Sequence, residues 1–272
     1  MRWMLGGGLV LLALIVGGSI IALHGEKKGS PGPSPVPPAV QGQHSEAEAA
    51  QEPLPAILKR SDAALLAAAA PLARKFLEAR TLDELLPLVR NPQRAKPRML
   101  QQYPDGRIDP PGLAEFNATR NVTYHDSVAS VGVRTHKFEN RQLAFVETPE
   151  GLKIDWESWA AWSDMTWSTL LATLPKAAQV FRVIVKRVDY YNFGFADDKK
   201  WRSYRLESLD GDHLIFGYVE LGSALMGKMQ LGSEMEQAAM ILKIRFPASA
   251  VAGSNQVLID DVVADGWVEQ AE

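Results

Sequence analysis

The sequence predicts an α+β protein built as a membrane-spanning helix, a linker and one globular domain in which helices pack on an antiparallel sheet. Three observations carry that expectation. Trp3 to Leu23 is an apolar run without a charge. Residues 61 to 103 place apolar side chains at helical spacing, and beyond residue 121 the apolar period switches to two.

The first element is the helix over 1–24. At 1.5 Å per residue the stretch 3–23 is about 31 Å long, which matches a bilayer core of roughly 30 Å. A removable signal peptide is the rival, but its apolar core is usually about 7–15 residues long and ends at an A-x-A-like site. Ala22-Leu23-His24-Gly25 lacks small residues at both positions. An uncleaved, single-pass signal-anchor is therefore expected, with the bulk of the chain on the outer, periplasmic side of a bacterial inner membrane. Arg2 on one side and Lys27 with Lys28 on the other give the positive-inside rule little asymmetry. Ala13 with Gly17, and Gly18 with Ala22, have the small-xxx-small spacing that lets membrane helices approach closely. The chain has no cysteine, so a lipid-modified cysteine and a disulfide framework are both excluded.

Residues 25–55 are rich in Pro, Gly, Ser, Ala and Glu, with almost no large apolar side chain. Such a segment buries too little surface to offset ordering entropy and is expected to be a disordered tether. Its Pro31–Pro38 portion favours extended polyproline geometry.

The globular domain is expected over 56–272. The net charge of the whole chain is −3, and no basic helix or arm stands out, so nucleic acid is not an expected partner. After Ser61, an Ala/Leu run leads through Pro71 to Leu72, Ala73, Phe76 and Leu77, one face of a helix. Thr81-Leu82-Asp83-Glu84 is a capping box starting a second helix. Asn91-Pro92 starts a third, as N-cap and first helical proline, and Pro104-Asp105-Gly106 ends it. Arg90, Arg94, Lys96 and Arg98 read as a solvated basic face.

Residues 107–121 read as a connection. Val128, Val131 and Val133, then Leu143, Phe145 and Val146, form two strands of a hairpin, and a turn at 148–151 leads into a short third strand from Leu152 to Trp156. Asn117 and Asn121 fit glycosylation sequons, which matter only in a eukaryotic secretory pathway.

The segment 153–167, KIDWESWAAWSDMTW, holds four of the seven tryptophans. On a helix starting near Asp155, Trp156, Trp159 and Trp162 share one band, and Trp167 opens a second run to Leu174. Two uses fit: a plug packed against the end of a sheet, or an aromatic wall of a cleft with Asp155 and Glu157 as acid and base. Asp155 also fits a helix N-cap.

The remainder is mostly strands. Phe181, Val183 and Val185 alternate with polar neighbours, and a slip near Arg187-Val188 suggests a bulge leading to Asp189-Tyr190-Tyr191. Strands follow at 201–209 and 214–221, then from Met240 to Phe246 and from Val257 to Trp267. Between 222 and 238 the pattern is helical or irregular, with Met226, Met229 and Met235 filling gaps. Asp260, Asp261 and Asp265 complete no ligand pattern, so no metal and no cofactor are expected.

This order of helices, hairpin, helix and long strands resembles the NTF2-like (SnoaL-like) superfamily over about 71–267. The stretches FLEARTLDELLPLVRNPQR and KIDWESWAAWSDMTW are also similar to those of uncharacterised bacterial membrane-anchored proteins of this architecture. The resemblance implies helices packed on a strongly curved sheet, a cone with an apolar pocket, and pairing into a homodimer. Among enzymes of that superfamily an Asp, His or Tyr commonly lies in the cone. The corresponding candidates are His125, Asp126, Asp189, Tyr190 and Tyr191, none within a diagnostic motif. The expected function is a membrane-tethered, non-enzymatic binding module. It would contact a small ligand or another envelope protein through Trp156, Trp159, Trp162, Tyr190 and Tyr191. The alternative is a cone-pocket isomerase, dehydratase or hydrolase with His125, Asp155, Glu157 or Asp189 as acid or base.

Overall fold

The computed structural model describes residues 57, 60–229, 231 and 237–269. The expected membrane helix and linker lie outside them. No helix among the described residues is long and apolar enough to cross a membrane.

Helix α1 (Asp62–Glu78) starts where the Ser61 hydroxyl accepts a hydrogen bond from the Ala64 amide, and it runs straight through Pro71. Helix α2 (Leu82–Leu85) has the expected cap, Thr81 Oγ1 accepting from Glu84 N at 3.3 Å. The return bond of the capping box falls one residue early, because Glu84 accepts from the amide of Arg80 at 2.7 Å. Helix α3 (Pro92–Gln102) begins with proline at its first position, while Asn91 adopts left-handed backbone with φ of 49° and no side-chain capping bond. Proline's fixed φ and missing donor suit that position, so it starts the helix without help from the asparagine.

The helices cover one face of a first sheet. Strands β3 (Val128–Thr135), β4 (Asn140–Thr148) and β5 (Gly151–Ile154) form an antiparallel meander, and β1 (Leu113–Phe116) and β2 (Val122–His125) both lie along the free side of β3. Gly132 lets Thr119 pack tightly there, since a Cβ at that position would sit 2.7 Å from the threonine side chain. Leu65, Phe76, Leu77 and Met99 from the helices meet Val131, Val133, Leu143, Phe145 and Ile154 from the sheet in one apolar cluster.

A second cluster fills a closed five-stranded barrel. Its strands are β6 (Gln179–Arg187), β7 (Trp201–Glu207), β8 (Leu214–Glu220), β9 (Gln237–Arg245) and β10 (Gln256–Asp265), paired in the cyclic order β10-β8-β7-β6-β9. All neighbours are antiparallel except β8 and β10. A three-strand meander, a short helix (Leu225–Lys228) and a crossing that sets the fifth strand parallel to the third is the plan of the Greek-key barrel called the OB-fold. The inward residues include the alternating Phe181, Val183 and Val185 and the alternating Met240, Leu242 and Ile244 expected from the sequence, joined by Leu206, Ile215 and Val219 of β7 and β8. Gly217 belongs to this face, where an added Cβ would meet Ile259 and Leu206 at 2.8 Å.

Helices packed on curved antiparallel strands agree with the α+β expectation. The β-rich arrangement is not assignable to an NTF2-like cone, because its apolar residues divide between a helix-covered sheet and a closed barrel. Two strands, β1 and β2, fall in or next to the stretch read as a connection. The expected slip at Arg187 is the end of β6, and within the barrel the register shifts lie instead in β10 against β9.

Candidate functional site

Two places gather the residues singled out from the sequence. The first is the junction between the lobes. Helix α4 (Trp156–Trp159) is a single turn, ended by Ala161 with φ of 47°, so Trp162 lies off the helix. Trp156 is fully buried, and Trp159 is 8% exposed, with its ring edge against Phe76. Arg141 lies 3.7 Å above the Trp159 ring and donates to its carbonyl, and burial pulls the Arg141 guanidinium down to about 10. Arg98 covers Trp162 at 3.9 Å. The tryptophans thus sit between core and arginine.

The carboxylates are held as firmly. Asp155 caps α4, accepting from Ser158 N at 2.7 Å through Oδ1, while Oδ2 forms an ion pair with Arg90 Nε. Both residues are buried. Glu157 Oε1 accepts from Arg98 at 3.0 Å, and Arg94 lies 3.5 Å away. From the barrel, Arg182 enters the same junction fully buried and donates to the carbonyls of Trp162 (2.6 Å) and Trp267 (2.9 Å). The C-terminal tail returns to the first lobe. Val268 packs on Val128 and Ala144, the Glu269 carbonyl accepts from Arg90, and its carboxylate accepts from Arg94 at 2.5 Å and stands 3.6 Å from Arg182 Nη2. Burial works to raise the Glu269 carboxyl, but Arg94, Arg182 and Arg98 together carry it below the ordinary range. What looked in sequence like a solvated basic face is largely the counter-charge of this junction. The signal for it was the pair of carboxylates beside three tryptophans, which demanded partners once buried.

The second place is the outer face of β7 and β8. Alternation puts Ser203 and Arg205 on the side away from the barrel core, beside Tyr218 and Phe216 of β8, and Gln256 of β10 lies beside Phe216. The loop 188–200 folds back over this face. Tyr190 stacks on Phe216 at 3.9 Å, and Phe195 stacks on Tyr218 at 4.0 Å with its edge to Trp201. Between the stacks, Gln256 Nε2 donates to Tyr218 Oη (2.8 Å) and Asn192 Oδ1 (2.5 Å), Asn192 Nδ2 donates to Tyr190 Oη (2.8 Å), and Tyr218 Oη donates to the Tyr190 carbonyl (2.9 Å). At the tip of the loop Phe193 is 83% exposed with φ of 49°, and Val251 is exposed on the β9–β10 loop.

The remaining candidates are dispersed. His125 ends β2 and lies 3.5 Å from Asp126, both exposed. Asp189 is exposed at the start of the 188–200 loop, and Tyr191 is half-buried there. No hydrogen bond or ion pair among the described residues joins His125 or Asp189 to Asp155 or Glu157. Asp260 pairs with Arg245 and Asp261 with Lys228, and no cluster suited to a metal occurs among the described residues. Phe193, Asn192, Phe216 and Gln256 were not singled out from sequence. The stretch YYNFGF carried a usable signal, since aromatic residues crowded into a loop bury their rings only by folding onto a neighbouring surface.

No family model, curated protein or solved structure matches this chain.

Proposed function

We propose that this chain is a non-enzymatic binding module, held at a membrane by its N-terminal segment, that engages a partner protein of the bacterial envelope on the β7–β8 side of the barrel. The observation that carries this is the exposed Phe193 with half-buried Tyr191 on a loop laid over an aromatic strand face. Phe193 is exposed on the same short loop that carries Tyr190, Tyr191 and Phe195, and it is apolar surface gathered in one place, rather than one exposed side chain such as Phe138, that marks a contact surface. Barrels of this plan bind their ligands on the second and third strands, between the loops that here run 188–200 and 246–255. That is a fold-level analogy and supports the location only. The non-catalytic part rests on Asp155 and Glu157, whose charges are engaged by arginines in a packed junction rather than directed into a cleft.

The test is site-specific photocrosslinking in membranes, with the crosslinker at position 193 of the full chain and, as comparison, at the equally exposed Phe138 in the first lobe. A discrete adduct at 193 that is lost on Tyr191→Ser is the expected result. Equal adducts at both positions, or none at 193, would refute the location.

A further inference from the structure

The loop that covers the β7–β8 face is itself built like a ligand. Over six residues it presents a phenol ring at Tyr190, a primary amide at Asn192 and a phenyl ring at Phe195. Each meets a complementary group on the strands: a ring face at Phe216, a donor at Gln256, and a second ring face at Tyr218. Side chains do nearly all of this work. Val188 N bonds to Ser203 O where the loop leaves β6, and Lys200 O accepts from Leu221 N where it rejoins β7. Among the described residues, the one backbone-to-backbone hydrogen bond from residues 189–199 to a barrel strand is the turn bond from Trp201 N, the first residue of β7, to Asp197 O. The fit is also incomplete. The buried Arg205 Nε on the covered face makes no hydrogen bond, although the same guanidinium reaches Glu207, and Ser203 Oγ, fully buried there, interacts with the Tyr218 hydroxyl but makes no hydrogen bond of good geometry. Buried polar atoms of this kind are normally satisfied, so their place beneath a loop leaves the face with donors that its present occupant does not use.

Resting on the binding role proposed above, we infer that the 188–200 loop is an internal occupant of the partner site. The true ligand is then a peptide segment of another protein with two aromatic side chains flanking an amide, which displaces the loop and takes over its stacks. Chemical mimicry selects this class: a carbohydrate would replace one stack and a lone ring would leave the Gln256 amide with Tyr218 Oη but without the acceptor that Asn192 supplies, whereas an aromatic–amide–aromatic peptide satisfies all three positions. A closed loop lowers apparent affinity by the fraction of molecules in which the face is open, so loosening the loop raises it.

The experiment uses the full chain in detergent and, as probe, a fluorescein-labelled peptide copying residues 189–198, DYYNFGFADD. The wild type is compared with the loop-loosened variant Tyr190→Ser/Phe195→Ser, and with that variant carrying Gln256→Ala. Binding of the peptide at least about tenfold tighter by the loosened variant, reversed by Gln256→Ala, is the expected outcome. Equal binding by wild type and loosened variant would overturn the internal-occupant role while leaving the face as a binding site. No binding by a folded, loosened variant would overturn the face itself. Hydrogen exchange on the wild type provides a readout that needs no substitution. Amides of 189–199 should exchange at least about a hundredfold faster than those of β7 and β8, and exchange of both only through global unfolding would overturn the inference.

Discussion

Replacing Arg182 by methionine is the sharpest test of how the two lobes are joined. The arginine side chain is fully buried and is pulled below its usual pKa by burial, against the support of Asp155, Glu269 and Glu157. Its loss removes two charge-assisted hydrogen bonds, to the carbonyls of Trp162 and Trp267, each worth about 1.5–3 kcal/mol. It also strands those carbonyls where the methionine offers no donor. Working the other way, one buried charge with an unsatisfied Nη2 no longer needs desolvating, and replacement of buried ions by apolar groups often recovers several kcal/mol. The balance is a destabilisation of about 3 kcal/mol, equivalent to roughly 6–12 °C in Tm for a folded region of this size. Urea unfolding followed by tryptophan fluorescence measures it directly, because Trp162 and Trp267 flank the substituted side chain. Loss of less than about 1 kcal/mol would show that the junction is held by apolar contact alone and that its ion pairs contribute nothing net.

Four further outcomes are expected. Asp155→Asn keeps an acceptor for Ser158 N but leaves Arg90 buried without its carboxylate, so it should lose about 3 kcal/mol in urea unfolding at neutral pH. Glu269 titrates below the ordinary carboxylate range, so the stability it contributes is present above the pKa of the unfolded chain and lost as pH falls through the folded value. Glu269→Gln should therefore flatten the acid limb of a stability-against-pH profile measured by urea unfolding. Gly217→Ala forces a methyl against Ile259 and Leu206 in the barrel core and should lower stability by about 1–3 kcal/mol on thermal melting. Phe195→Ala should cost about 3–5 kcal/mol, whereas Phe193→Ser, two residues earlier and exposed, should stay within about 0.5 kcal/mol, both read by thermal denaturation.

The elements with strong periodicity were legible in the sequence: α1, α2 and α3 with their starts, the β3–β4 hairpin, and the alternating cores of β6 and β9. Each is specified by local physics, a cap, a proline or an inward-facing apolar side chain at every second residue. What escaped depended on pairing between distant segments. Strands β1 and β2 have only four residues each and carry few apolar side chains, so only their partner β3 makes them strands. The helix expected to carry three tryptophans stops after one turn, where Ala161 turns left-handed and Arg98 and Arg182 hold Trp162 off the helix. At the junction, the residue types Asp155, Glu157 and Arg90 to Arg98 were visible, but their neutralisation of one another needs α3 and α4 brought side by side. The aromatic loop was visible as composition and unreadable as geometry for the same reason.

The returning tail ties the order of synthesis to the order of assembly. Arg94 and Glu269 are separated by 175 residues, roughly 10–35 s of translation at ordinary rates. Throughout that interval the first lobe can pack its helices on its sheet and the barrel strands can emerge, while Arg90, Arg94 and Arg182 wait for the carboxylate and carbonyl that join them. The two lobes are made one after the other, and a segment made after both of them fastens them together.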